Sequence, residues 1–203
     1  MTIGVWVTNE QFGPLSGHNI MHVLIACEFS GVVREAFIAR GHDAWSCDLL
    51  TTDIPGPHFQ MDVFDVIRLY GPWDLMIAHP PCTDICVSGN PQRAVKEADG
   101  RTAFAIQFVK NLANVNIHRI AIENPVGLLS TRWRKPDQYI QPWQFGHDET
   151  KKTGFWLKNL PLLKPTNDVG CDYKDKIHKM AKTPMRGYER SRTYPGIAAA
   201  MAE

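Results

Sequence analysis

A cysteine directly after two prolines is the first feature of this chain that suggests chemistry. Residues 75–78 form an apolar run that predicts a short buried strand, and Pro80 and Pro81 end it because neither can donate to a sheet ladder. Cys82 then lies on a stiff turn at the carboxyl edge of the predicted sheet, where open α/β folds bind ligands. A thiolate there can act as a nucleophile, although a free cysteine is also commonly a small buried hydrophobic residue.

A glutamate at the end of another predicted strand faces the same edge. Residues 119–125 begin as an apolar run and end with Glu123 and Asn124 before a proline. Because this strand and residues 75–78 are expected to be parallel neighbours, Glu123 is expected on the same edge as Cys82. A buried carboxyl group there needs a partner, or its pKa rises. Glu123 therefore serves the chemistry of the site or fixes the following turn.

A strand, a glycine-containing turn, a helix and a second strand precede these residues. Residues 22–27 are apolar, 28–31 form a turn, and 32–40 show a helical pattern that ends at Gly41. A second strand then ends at Asp48, whose carboxylate can accept two hydrogen bonds from ribose hydroxyls. The pattern predicts a βαβ unit of the nucleotide-binding kind, or a purely structural one.

The next segments supply a second acid and a possible lid. Asp62 precedes the helical pattern that begins at Val63, so it either accepts from an adenine amino group or caps that helix. Residues 89–97 are polar and predict a long loop, which beside a site is often a lid. Residues 103–112 predict an amphipathic helix, with Phe104 on its apolar face.

Composition and cysteine spacing exclude several classes of protein. The 203 residues suit one domain, 44% are hydrophobic, and no apolar run reaches the ~18 residues of a membrane span. Five cysteines without framework spacing and no secretory pattern predict reduced thiols in the cytoplasm. The Cys82-x-x-x-Cys86 spacing has one residue too many for a zinc deaminase, and we expect no metal.

The net charge of +1 hides an uneven distribution. Residues 1–130 contain 8 Lys and Arg against 13 Asp and Glu, whereas residues 131–203 contain 14 against 8. A basic C-terminal third suits a polyanion such as nucleic acid, or is simply a solvated surface.

In several ordered segments the chain resembles the DNA cytosine-C5 methyltransferases. Five stretches carry the resemblance in the family's order, namely Phe29-x-Gly31 with Asp48 and Asp62, Pro81-Cys82 with Gly89, Asp99-Gly100-Arg101 with Phe104, residues 123–129, and residues 195–202. The resemblance implies an α/β fold with a Rossmann-like, mostly parallel sheet of the S-adenosylmethionine-dependent methyltransferase type. It also implies one methyltransferase-like domain over residues 1–203.

The resemblance assigns roles to individual residues. Cys82 would add to C6 of a cytosine flipped out of DNA, and Glu123 would hold the N3/N4 edge, for which a raised pKa helps. The remaining assignments are catalytic for Pro81 and Asn124, cofactor-binding for Phe29, Ser30, Gly31, Asp48, Asp62 and Pro80, and substrate-binding for Thr83, Ser88, Gly89, Arg101, Lys151 and Lys152. The implied methyl donor is S-adenosylmethionine, and the implied source is a phage or bacterium.

The chain also departs from the family pattern. Thr83 replaces a glutamine, and Asp84 would raise the pKa of the Cys82 thiol if it points toward it. Only the small basic segment 161–192 stands where the family has a target-recognition domain, which predicts low sequence specificity, a very short site or a partner protein. Two alternatives remain: the same chemistry on RNA, on a free nucleotide or with a modified donor, and a catalytically silent nucleic-acid-binding module.

Overall fold

The computed structural model describes residues 19–170, 183 and 186–203. Residues 171–182, 184 and 185 of the predicted basic segment 161–192 lie outside the described residues. None of the helices in the described ranges is long and apolar enough to cross a membrane.

Seven strands form one mostly parallel sheet with the order β3-β2-β1-β4-β5-β7-β6. The strands are β1 His22–Ala26, β2 Asp43–Asp48, β3 His58–Gln60, β4 Leu75–Ala78, β5 Arg119–Pro125, β6 Gln138–Ile140 and β7 Thr153–Lys158. The first five are parallel to one another, and β7 runs antiparallel to both β5 and β6. The α/β class and the mostly parallel sheet are therefore confirmed, and this arrangement is compatible with a Rossmann-like fold.

Helices cover both faces of the sheet. The α-helices of the described residues are α1 Val32–Ala39, α2 Val63–Tyr70, α3 Arg93–Ala98, α4 Arg101–Ala113, α5 Leu129–Arg132, α6 Arg186–Ser191 and α7 Pro195–Met201. Alternate residues of β1 serve opposite faces: Leu24 packs with the α2 and α4 side, and Val23 packs with the α1 and α7 side. The central strands are thus apolar on both faces, as their continuous hydrophobic runs predict.

Two predictions about the segment after β4 were wrong. Residues 89–97 are not a long loop, because a 3₁₀ helix at Val87–Gln92 is followed directly by α3. Phe104 does not face the core: its side chain is 75% exposed, whereas Ile106 and Val109 of the same helix are buried. The helical period placed α4 correctly but could not distinguish Phe104 from its core neighbours.

A fully buried arginine holds the loop that follows β2. Arg34 projects from α1, and its Nη1 donates to Ser46 Oγ (3.0 Å) and Thr52 Oγ1 (3.2 Å) while its Nη2 donates to the Ile54 carbonyl (2.5 Å). A β-carbon at Gly56 would lie 2.7 Å from Nη2. The loop therefore wraps the guanidinium closely, which fixes the chain just beyond Asp48.

Acidification is expected to destabilise the docking of α7. His147 Nε2 accepts a hydrogen bond from the Gly196 N–H at the start of α7 (2.9 Å), and burial lowers the pKa of this histidine. His147 therefore binds a proton more tightly in the unfolded chain than in the folded protein. The stabilisation that His147 provides is present above about pH 6.5 and is lost as the pH falls below this value. Urea midpoints at about pH 7.5 and about pH 5.5 measure the loss.

Two variants show whether His147 causes this dependence. His147→Gln should flatten it, because an amide oxygen accepts from Gly196 without titrating. His118→Gln, at an exposed position, should leave it unchanged. An unaltered pH slope in the His147 variant would contradict the prediction.

Candidate functional site

Two adjoining clefts open at the carboxyl edge of the parallel strands. The larger, of about 810 Å³, is lined by His79, Cys82 and Lys151, and the smaller, of about 550 Å³, is lined by Asp62 and Phe104, among others. Cys27, Asp48 and Pro81 line both clefts. The two clefts therefore meet at these three residues, one of which precedes Cys82 in the sequence.

The turn after β4 places the Cys82 thiol in the larger cleft. The Ile85 and Cys86 N–H groups both donate to the Cys82 carbonyl (3.1 and 2.9 Å), which closes a tight turn. A hydrogen bond with Cys86, burial, and the negative charge of Glu123 together raise the pKa of the Cys82 thiol, while the charge of Lys151 opposes them. The thiol is therefore protonated in the free protein.

Asp84 is directed away from this thiol. Its carboxylate pairs with Lys96 of α3 (Nζ–Oδ1 3.1 Å), and it lines the smaller cleft. The charges that act on Cys82 are those of Cys86, Glu123 and Lys151, and Asp84 is not among them. The buried Lys96 also donates to the Thr83 carbonyl (2.6 Å), so it holds both residues that depart from the family pattern.

Glu123 is not among the residues that line the larger cleft, and its carboxyl group is ionised. His79 Nδ1 lies 3.3 Å from Glu123 Oε2, and the two side chains are only 10% and 16% exposed. Burial alone would raise the pKa of Glu123, but the hydrogen bond from His79 and the charge of Lys151 outweigh it and hold this pKa below its usual range. Glu123 therefore has the partner that a buried carboxyl group was expected to need, and the raised pKa that the resemblance favours is not found.

Asn124 connects β5 to the proline turn. Its Nδ2 donates to the Pro80 carbonyl (2.8 Å), and its side chain is almost completely buried. Asn124 therefore positions the backbone that precedes Cys82, and Pro80 contributes its carbonyl to this contact.

The segment after β5 clamps the turn from the other side. The Leu128 N–H donates to the Ile85 carbonyl (2.7 Å), and the Val87 N–H donates to the Val126 carbonyl (3.1 Å). A bridge joins Cys86 and Gly127 between these two bonds. The turn that carries Cys82 is therefore fixed by backbone contacts on both flanks.

The smaller cleft brings two carboxylates and exposed apolar side chains together. Asp48 accepts from the Leu50 N–H (2.9 Å) and Asp62 caps α2 by accepting from the Phe64 N–H (2.8 Å). Capping uses one oxygen of Asp62, and this residue also lines the cleft. Leu49 and Phe104, both more than two-thirds exposed, line the same cleft and offer surfaces for a flat ring.

A buried glutamate that sequence reasoning missed occupies the start of α1. Glu28 accepts from the Val33 N–H (2.7 Å), the Arg34 N–H (3.3 Å) and the Ser30 hydroxyl (3.0 Å). A glycine at position 31 suits this turn, because its φ of 75° is left-handed. The N–H groups at the start of α1 are thus already bound to a carboxylate, whereas in dinucleotide-binding proteins such groups hold a pyrophosphate.

Helix α6 forms one wall of the larger cleft. Lys151 Nζ donates to the Arg190 carbonyl (2.9 Å), and Phe29 packs against Tyr188 with ring centroids 4.7 Å apart. Tyr188 and Arg192 also bind the carboxylate of Asp53. Lys152 is exposed at the same cleft, and its Nζ lies 4.4 Å from the centre of the Tyr139 ring.

Most of the predicted site residues lie at these clefts, and some do not. Phe29, Pro81, Cys82, Thr83, Lys151 and Lys152 line the larger cleft, whereas Asp48 lines both and Asp62 the smaller. Ser88 and Gly89 lie in the 3₁₀ helix Val87–Gln92. Arg101 lines neither cleft; it pairs with Asp99 (2.7 Å) on the surface. Within the described residues no three His, Cys, Asp or Glu side chains cluster as metal ligands would.

Comparison with known proteins gives no further assignment, since the chain matches no family model and none of the curated proteins.

Proposed function

We propose that the protein transfers a methyl group from S-adenosylmethionine to C5 of cytosine in DNA, with Cys82 as the nucleophile. The observation that carries this proposal is that the two clefts share Cys27, Asp48 and Pro81. A nucleoside held in the smaller cleft by Asp48 and Asp62 would therefore lie beside the larger cleft, which contains Cys82. The resemblance of the nucleophile segment to the DNA cytosine-C5 methyltransferases supports the same arrangement.

The residues of the smaller cleft fit a nucleoside without phosphates. Asp48 can accept from ribose hydroxyls, Asp62 can accept from an adenine amino group, and Leu49 and Phe104 can cover the ring. Glu28 occupies the N–H groups that a pyrophosphate would need, which disfavours a dinucleotide. S-adenosylmethionine meets these conditions, and when bound it supplies a methyl group activated on a sulfonium.

The larger cleft supplies the groups that cytosine chemistry needs. The Cys82 sulfur would form a bond to C6, which breaks the aromaticity of the ring and makes C5 nucleophilic. Glu123 would hold the N3 edge and stabilise the proton acquired there. After C5 has gained the methyl group, loss of the C5 proton and of the thiol restores the aromatic ring.

Serine at position 82 is expected to abolish the reaction. Cys82→Ser should lower the rate of methyl transfer by roughly a thousandfold or more, because an alcohol is a far weaker nucleophile than a thiolate. Incorporation of labelled methyl groups into DNA, with wild type and variant compared under single-turnover conditions, measures the loss.

Cys86→Ser provides the comparison. It retains the proposed nucleophile and changes only its sulfur neighbour, so transfer should persist within roughly tenfold. Equal labelling by wild type and Cys82→Ser would end the proposal. Competition by RNA or cytidine triphosphate distinguishes DNA from the alternative substrates.

A further inference from the structure

Helix α6 joins two loops that lie on opposite sides of Cys82. At its end, Tyr188 and Arg192 bind the carboxylate of Asp53, in the loop after β2. Lys151, just before β7, donates through its Nζ to two carbonyls at and just beyond the end of α6 (2.9 and 3.4 Å). In the sheet, β1, β4 and β5 lie between β2 and β7, and Cys82 follows β4. The start of β7 pairs with the end of β5, so α6 bridges the carboxyl edge of the sheet across the turn that carries the thiol.

The contacts that hold α6 are mostly polar. The structure describes every residue of this helix, and none of them is buried, whereas α7 buries Ile197 and Ala198. The attachment of α6 consists of the packing of Tyr188 on Phe29, of hydrogen bonds, and of an ion pair in which the Arg192 side chain is 46% exposed. Elements that bury little apolar surface separate from a protein at a low cost in free energy. Helix α6 can therefore open while α7 remains packed.

We propose that α6 is a cover over the larger cleft, latched by Asp53, which opens to admit a ligand as large as a nucleotide to Cys82. Gly187, Arg190 and Ser191 line this cleft, so the helix forms part of its boundary. A cover of this kind excludes water once the ligand is in place. The proposal concerns access to the thiol and goes beyond methyl transfer, because it holds for any reaction of Cys82.

Asp53 is suited to be the fixed half of the latch. Its N–H donates to the Phe29 carbonyl (2.9 Å), and the buried Arg34 binds the carbonyl of the next residue in the loop (2.5 Å). The Asp53 side chain is only 18% exposed, and its carboxylate receives the Tyr188 hydroxyl and the Arg192 guanidinium together. The loop thus stays in place when the cover opens, and the charge of this carboxylate determines how firmly the cover is held.

Alkylation of Cys82 by reagents of two sizes tests the cover. Asp53→Asn keeps the shape of the side chain but removes the charge that holds Arg192. Fluorescein maleimide at about pH 8 should react with Cys82 about tenfold faster in this variant than in wild type, because a hydrogen bond to a charged group is lost. Iodoacetamide is small enough to pass beside α6, so its rate should change by less than about twofold. Peptide mass spectrometry that resolves Cys82 from Cys86 measures both rates.

Two controls and a second variant separate opening of the cover from other effects. Cys47 is completely buried in the core, so it should stay unlabelled in every folded variant. Asp65→Asn removes an exposed ion pair with Arg68 and should behave as wild type. Tyr188→Phe keeps the aromatic ring but loses one hydrogen bond of the latch, so fluorescein maleimide should react roughly threefold faster.

Amide hydrogen exchange gives a readout that does not depend on thiol chemistry. In Asp53→Asn the amides of α6 should exchange about tenfold faster, because the latched state is less populated. The amides of α7 should keep their wild-type rates, since this helix is held by its own buried side chains.

The outcomes are distinguishable. Maleimide rates within about twofold of wild type in both latch variants would overturn the proposal. Equal acceleration of both reagents would also overturn it, because that pattern reports a more reactive thiol and not an open cleft. If labelling follows the expected pattern but the protein transfers no methyl group, the cover stands and only the proposed function fails.

Discussion

Alanine at position 127 is expected to disrupt the turn that carries Cys82, the proposed nucleophile. A β-carbon there would lie 2.1 Å from the Ile85 carbonyl oxygen and 2.7 Å from the Cys86 Cα. Both atoms belong to the backbone, so no side-chain rotation relieves the overlap. The clamp formed by the Val126, Gly127 and Leu128 backbone must therefore open, and the free energy of unfolding should fall by about 3 kcal/mol.

The rate of methyl transfer by Gly127→Ala should fall by more than the reduced fraction of folded protein explains. Opening the clamp frees the segment that follows Cys82, and a displacement of about 1 Å at a reacting atom costs roughly 100-fold in rate. Methyl transfer below the unfolding temperature and the urea midpoint measure the two effects. Gly187→Ala provides the stability control, because a β-carbon at this helical position meets no atom within 4 Å. A Gly127→Ala protein with wild-type midpoint and rate would contradict the expectation.

Methionine at position 34 is expected to cost about 3 kcal/mol of folding stability. The side chains of arginine and methionine share a long apolar stem, but methionine removes the charged donor to Ser46, Thr52 and the Ile54 carbonyl. Ser46 keeps its contact with His58, and the Ile54 carbonyl still accepts from the Thr52 hydroxyl. A hydrogen bond from a charged group contributes about 1.5–3 kcal/mol, and neighbouring losses add only in part. Urea denaturation monitored by tryptophan fluorescence measures the change in free energy.

A second arginine of the same region provides the matched comparison. Arg40 follows the last turn of α1 and pairs with Glu203 at 2.6 Å, but both side chains are about half exposed. Arg40→Met should therefore cost less than about 1 kcal/mol. Similar losses for the two variants would show that burial of the guanidinium at position 34 does not determine its contribution.

Loss of Arg34 should also weaken donor binding. The loop that Arg34 holds begins immediately after Asp48, which lines both clefts. The affinity of the Arg34→Met protein for S-adenosylmethionine should fall by about tenfold, measured by calorimetry at a temperature where it remains folded.

The strands and helices predicted correctly are those with a strong hydrophobic pattern. Strands β1, β4 and β5 are continuous apolar runs, and the parallel pairing of β4 with β5 followed from their order. The edge strands β3 and β6 contain only three residues each, and such short segments have no periodicity to detect.

Most of the residues singled out from the sequence lie at the two clefts, but the charges around them could not be predicted. Proline and cysteine at positions 81 and 82 mark the proposed nucleophile segment within the sequence itself. The contact of His79 with Glu123 joins residues 44 positions apart, so no local pattern signals it. Asp84 is the opposite case: it is two residues from Cys82, yet the turn directs it to Lys96, and proximity in sequence was misleading.

The wall that α6 contributes affects how the protein is made. Tyr188 and Arg192 bind Asp53 across 135 and 139 residues, and Arg40 reaches Glu203 across 163 residues. A ribosome releases Cys82, the acids and Glu123 long before it releases the helix that completes their cleft. The nascent chain thus carries these groups in an open cleft, and the complete cleft is expected only after synthesis of the last helices.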